Sequence, residues 1–203
     1  MTEDVFKMLA RCDTWIIALE ALIEPDTLQE CLDALQSGKD ETALQKAFKK
    51  AISFSTFPEG PLLQSIKPYG KKVVLTTRIF ADDPDKQKVF IDRLFAGRGI
   101  RKDVVDHLIT ARDASDMLQK LSALPDQKTT NSFLITPYND DIEEANHRGI
   151  KTVHFMGRNC SEEAAKAFFH VRIVGGLLYF IRKEMGKQKD APDHPNGHII
   201  PRP

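Results

Sequence analysis

Cysteine is scarce in this chain: three in 203 residues, at positions 12, 31 and 160. They are far apart and odd in number, which excludes both a zinc-type spacing and a secreted disulfide framework and fits a reducing, cytoplasmic setting. An excess of one charge is missing too. Lys plus Arg equals Asp plus Glu at 29 each, so the zero net charge supplies no general attraction to nucleic acid or to an anionic membrane. No long hydrophobic run is present, since the longest apolar stretch, Ile173 to Ile181, is too short to span a bilayer. The acidic start Thr2-Glu3-Asp4 has no basic segment leading into an apolar run, so a secretory signal is not expected. A Gly-x-Gly-x-x-Gly dinucleotide loop, a Gly-Lys-Ser/Thr phosphate loop and a Gly-x-Ser-x-Gly nucleophile elbow are all absent, as is any internal repeat.

What is present is an alternation of apolar runs with helical patterns. With 41% apolar residues, the chain can bury one sizeable core plus a small accessory element. Five runs read as buried parallel strands: Trp15 to Leu22, Lys72 to Thr77, His107 to Thr110, Ser132 to Thr136 and Lys151 to Phe155. Between them, Asp85 to Ala96 places Val89, Phe90, Leu94 and Phe95 on one side and stops at Gly97, and Ala114 to Leu121 presents Met117, Leu118 and Leu121 at helical spacing. The expected fold is α/β: a Rossmann-like five-stranded parallel sheet flanked by helices.

The first two strands are separated by residues 24–70, which hold two amphipathic patterns and then a return through Pro58, Gly60, Pro61 and Pro68. Leu28, Cys31, Leu32 and Leu35 form the first pattern, and Ala43, Leu44, Ala47, Phe48, Ala51 and Ile52 the second. After the last strand, Ser161 can cap a helix that opens on Glu162-Glu163 and runs to about Met185, apolar nearly all round. Such a helix needs cover on more than one side, from the sheet or from a second copy through a homodimer seam at Gly175-Gly176. From Lys187 onward the mixture, including His194 and His198, lacks periodicity and reads as a flexible tail.

The segment Phe133-Leu-Ile-Thr-Pro-Tyr-Asn-Asp-Asp-Ile-Glu-Glu-Ala-Asn-His-Arg-Gly149, followed by Ile-Lys-Thr-Val-His-Phe155, reads as strand, loop, short helix, tight turn, strand. Gly149 closes the helix where only glycine enters the left-handed region without cost. This arrangement resembles the last catalytic loop of the haloacid dehalogenase-like (HAD-like) superfamily, mostly Mg-dependent phosphatases. The resemblance implies a core of residues 1–23 and 71–186, a small helical cap at 24–70 inserted after the first strand and standing over the C-terminal strand ends, and a tail at 187–203.

It also implies catalytic positions, and here the chain departs from the family. The first motif, a strand ending Asp-x-Asp that supplies nucleophile and acid/base, falls on Ala18 and Glu20. Alanine cannot attack phosphorus, and sliding the register by two puts Leu22 at the acid. The strand-ending Ser or Thr that bonds the phosphoryl group falls on Thr76, and Arg112 stands in for the family lysine, with charge retained and the shape changed. In the last loop, Thr136 follows Ile135 where the family has a metal-binding Asp, while Asp140 and Asp141 remain. Glu20 and Asp141 are then the remaining candidates for Mg²⁺, unless Asp141 only caps the helix after Asn139. Asp83 and Asp85 form an Asp-x-Asp that reads as a helix start.

Three readings fit these residues. In the first, a HAD-like fold has lost phosphotransfer and keeps a binding or interaction role, a pseudophosphatase with no cofactor, taking a small phosphorylated ligand at Thr76 and Arg112. In the second, it is an active HAD-like phosphatase or nucleotidase with altered chemistry and Mg²⁺. The third is an unrelated Rossmann-like protein. Fold analogy alone does not decide function, and the first reading is carried forward.

Overall fold

The structure, a computed structural model, describes residues 2–23, 25–38, 41–52, 59–125, 131–156 and 166–190. Its centre is a parallel sheet of six strands: β1 (Thr14–Ala18), β2 (Lys72–Thr77), β3 (His107–Thr110), β4 (Ser132–Thr136), β5 (Lys151–Phe155) and β6 (Phe169–Val171). They lie in the order β3-β2-β1-β4-β5-β6. The first connections step outward on one side of β1 and the later ones on the other, so the order reverses between β1 and β4. In open α/β sheets the crevice beyond the C-terminal ends at such a reversal is where ligands bind.

Alternation along the strands divides the core. Trp15, Ile17, Val73, Leu75, Phe133, Ile135 and Val153 face one helical layer, and Ile16, Val74, Ile109 and Leu134 face the other. The second layer consists of α6 (Ala114–Ser122) and α7 (Asn139–His147), which contribute Met117, Leu118, Leu121 and Ala145. The first is larger and includes α1 (Thr2–Ala10), α5 (Pro84–Arg98) and α8 (Val174–Asp190). Trp15 and Phe133, partners across β1 and β4, pack with ring centroids 5.2 Å apart.

The segment between β1 and β2 forms α2 (Pro25–Gln36), α3 (Glu41–Ile52) and α4 (Glu59–Ile66). Phe48 of α3 packs on Phe90 of α5 at 5.9 Å, and Cys31, Leu35, Leu63 and Ile66 join the larger core cluster. At the N-terminal turn of α4, Gly60 touches the C-terminal turn of α5 so closely that a Cβ there would lie 2.0 Å from the Gly99 carbonyl oxygen. The buried Arg98 guanidinium donates to the Leu22 carbonyl, fixing the start of the inserted helices.

Four of the five expected strands stand where the apolar runs place them, and Gly149 ends α7 at φ +72° while the Ile150 amide donates to the Ala145 carbonyl at 3.1 Å. Other expectations are corrected. Among the described residues the sheet has six strands, not five, because Phe169–Val171 pairs with β5. The chain over 169–171 is therefore not part of a helix from Ser161. That helix begins at Val174, where aromatic and β-branched residues that extend the sheet give way to Gly175-Gly176, and it runs past Met185 to Asp190. Ser161, the glutamates after it, Cys160, His194 and His198 lie outside the described residues, as do tail positions 191–203. The helix expected to stop at Gly97 runs to Arg98 and is closed by Gly99 at φ +65°. β1 ends at Ala18, and Leu19–Leu22 form a short 3-10 turn rather than more strand. No helix among the described residues is long and apolar enough to cross a membrane.

Candidate functional site

Three chain turns meet at the C-terminal ends of β2, β1 and β4. The 3-10 turn after β1 carries Glu20, only 2% exposed. Its Oε1 accepts from the Thr77 hydroxyl at 3.1 Å and from the Arg78 main-chain N–H at 2.7 Å. The chain leaves strand geometry after Ala18 because this carboxylate reaches back to the tip of β2. Thr77 in turn accepts from the Ile79 amide at 3.1 Å, so the turn after β2 is stitched to the turn after β1. Glu20 Oε2 is buried and has no hydrogen-bond partner among the described residues, although the Tyr138 hydroxyl is close enough to act on its charge. Burial dominates and holds Glu20 above the usual carboxylate range, against the Arg78, Thr77 and Tyr138 contacts.

The side chain of Arg78 crosses to the loop after β4. Its Nη2 donates to Asp141 Oδ1 and lies 2.9 Å from Asp140 Oδ2, while its guanidinium carbon stands 4.4 Å from the Tyr138 ring centre. The other oxygen of Asp141 accepts from the Thr136 hydroxyl at 2.6 Å, and that hydroxyl accepts from the Tyr138 amide at 3.2 Å. Burial raises the Asp141 pKa, with Thr136 and Arg78 opposing. Burial works against the charge on Arg78, yet Asp141 and Asp140 together carry its pKa upward. Tyr138 is raised by burial and by Glu20. Asp141 does not cap α7; the N-cap position is Tyr138, and Asp141 is spent on Arg78 and Thr136.

The residues singled out from the sequence separate into two places. Ala18 and Thr76 are register partners at the sheet tip, both buried, and Glu20, Thr136 and Asp141 stand around them in the network just described. Arg112 stands apart. It is exposed beyond β3, its Nε donates to Asp82 at 3.1 Å, and its amide donates to Asp116 at 3.0 Å. It lines two open clefts of about 450 Å³, one shared with Arg78, Phe80, Asp82 and Asp83, the other with Thr110, Asp113, Asp116 and Lys120. Asp83 opens α5, accepting from the Lys86 amide at 3.1 Å. Arg78 and Tyr138 were not legible as site residues. The available signal was a lone arginine directly after the strand-ending Thr76-Thr77, facing an Asp-Asp pair across the sheet.

Mg²⁺ asks for near-octahedral oxygen ligation with several waters. The residues present do not fit that demand. Both oxygens of Asp141 are engaged, Thr136 stands in the neighbouring position, and a guanidinium already lies on the two aspartates. Among the described residues, no group of three or more His, Cys, Asp or Glu is placed to hold a metal ion.

No family model and no curated protein matches the sequence. Solved structures do match in shape. A hydrolase from Pseudomonas syringae is similar at TM-score 0.56 and 9% identity, over 84% of this chain and 98% of that one. YfnB of Bacillus subtilis, assigned as a HAD-hydrolase and solved bound to magnesium, is similar at TM-score 0.54 and 9% identity, over 84% and 99%. The β-phosphoglucomutase of Clostridium difficile follows at TM-score 0.51 and 12% identity, over 88% and 99%. At such identities the likeness is one of fold: the chain has the haloacid dehalogenase-like fold.

Proposed function

We propose that this protein is a catalytically degenerate HAD-like chain, a pseudophosphatase that acts as a binding or interaction module. The observation that carries the reading is Ala18. It is the last residue of β1, paired in register with Thr76 at the strand tips, and it is the position that the resemblance to the family matches to the nucleophile. A methyl group has no lone pair to offer phosphorus. The nearest carboxylate in sequence, Glu20, is buried with its Oε1 bound to Thr77 and Arg78, an arrangement that suits joining two turns. Arg112 stands apart from Thr76 and is already paired with Asp82, so a small phosphorylated ligand held by Arg112 would have to displace Asp82 in the cleft that both line.

The partner favoured by the surface is a second copy. Phe6 of α1 stacks on Phe180 of α8 at 5.3 Å and meets Phe169 of β6 edge-on at 6.0 Å, and Tyr179 adjoins Phe180 at 5.6 Å. Phe180 is 47% exposed and Tyr179 41%. An aromatic cluster beside β6, the last strand in the sheet order, suits the centre of an interface that buries about 800 Å² per partner.

The test of the catalytic half is hydrolysis of p-nitrophenyl phosphate and a panel of nucleoside monophosphates in Mg²⁺. No turnover is expected, and turnover abolished by Glu20→Gln would establish an active phosphatase with altered chemistry instead.

A further inference from the structure

Asp141 is a buried carboxylate kept at a site whose neighbouring family aspartate has become Thr136. A charge in that position needs a counter-charge, because an unpaired buried carboxylate is strongly unfavourable. In a metal-dependent enzyme of this fold a divalent ion meets that need. We infer that the Arg78 guanidinium is a built-in cation at the strand ends, standing in for the divalent ion so that the buried Asp141 has its counter-charge without metal. The inference rests on the degenerate reading only for matching Asp141 to the acidic loop of the family.

The geometry supplies the argument. In the sheet order β2-β1-β4, Arg78 follows β2 and its partners follow β4, so its side chain spans the end of β1. Its main chain is fixed by Glu20 at 2.7 Å, which makes the reach reproducible. One nitrogen serves both Asp141 and Asp140, and the planar group lies on the Tyr138 ring at 4.4 Å. Stacking of this kind suits a delocalised guanidinium, and a lysine ammonium would not reproduce both features. A metal ion would have to compete with a cation that is covalently part of the chain.

The experiment is a charge cycle on the full chain, followed by thermal unfolding in EDTA, in Mg²⁺, and in KCl of matched ionic strength. Wild type is expected to melt at the same temperature in all three. Arg78→Ala should melt roughly 10 °C lower, as when one partner of a buried pair is removed. Mg²⁺ should recover part of that loss and KCl should not. Arg78→Ala with Asp141→Asn removes both charges and should melt above the single variant without metal. If the single variant fails to fold, a folded double variant is still the expected result. A double variant no better than the single, or a wild type stabilised by Mg²⁺ beyond the KCl control, overturns the inference. Phosphate-ester turnover by wild type with the coupling intact would remove the degenerate reading alone; absent coupling with no turnover would remove this inference alone.

Discussion

The main-chain N–H of Arg78 donates to Glu20 Oε1 at 2.7 Å, so the turn that follows β2 is held by a side chain from the turn that follows β1. Glu20 therefore has a structural use independent of any reaction.

Replacing it tests that use. Glu20→Ala leaves the Arg78 amide and the Thr77 hydroxyl without their acceptor and should cost about 2 kcal/mol. Glu20→Gln keeps an acceptor and removes the buried charge. Because burial raises the Glu20 pKa above its ordinary 4.5, the folded chain binds this proton more tightly than the unfolded one. Its stabilising contribution is thus complete below pH 4.5 and declines as pH rises. The melting-temperature difference between Glu20→Gln and wild type should move in favour of the variant from pH 4.5 to 8. A difference independent of pH would count against the assignment.

His154 titrates with the opposite sign. It is buried at the end of β5, and its ring lies 5.5 Å from that of His170, its register partner on β6. Burial and then His170 lower its pKa from 6.5, against a hydrogen bond to the Pro137 carbonyl. The folded state resists protonation, so the contribution of the neutral ring is fully present above pH 6.5 and is lost as pH falls from there through the lower folded value. Urea titrations at pH 7.5 and 5.5 should show a smaller loss of stability on acidification in His154→Gln than in wild type, and equal losses would refute this.

Much of this fold is legible in the sequence, and the reason is physical. A parallel strand buried on both faces must be apolar along its length, so Lys72–Thr77, Ser132–Thr136 and Lys151–Phe155 announce themselves. The aromatic run at Phe168 to Val171 satisfies a helix pattern as well as an edge strand, and only pairing with β5 decides between them. The end of β1 is not legible in the sequence because its hydrophobicity continues through Leu22, while the turn is set by Glu20 bonding to residues nearly sixty positions away. Arg78 escaped for the same reason, since its partners lie 62 and 63 residues further along. Long-range pairing of charges leaves no local periodicity.

Gly60 gives a packing prediction. A methyl group there would fall 2.0 Å from the Gly99 carbonyl oxygen and 2.7 Å from that of Arg98, both main-chain atoms that cannot rotate aside. Gly60→Ala should cost at least about 2 kcal/mol by forcing α4 off α5. Denaturant unfolding that matches wild type would show that the two helices do not approach so closely.

The aromatic face predicts association. Wild type should sediment as a dimer at micromolar concentration, and Phe180→Glu should sediment as a monomer with an unchanged far-ultraviolet circular dichroism spectrum. A wild-type monomer at high concentration would remove the second copy as partner.

The central claim is the absence of a working nucleophile at the tip of β1, and the most direct measurement is the intact mass of the protein after incubation with acetyl phosphate and Mg²⁺. Family members that attack phosphorus with a carboxylate pass through a covalent acyl phosphate. Wild type should keep its unmodified mass at every time point. A stoichiometric phosphoryl adduct, mapped to Glu20 or to any other carboxylate of the strand-end turns, would contradict the account.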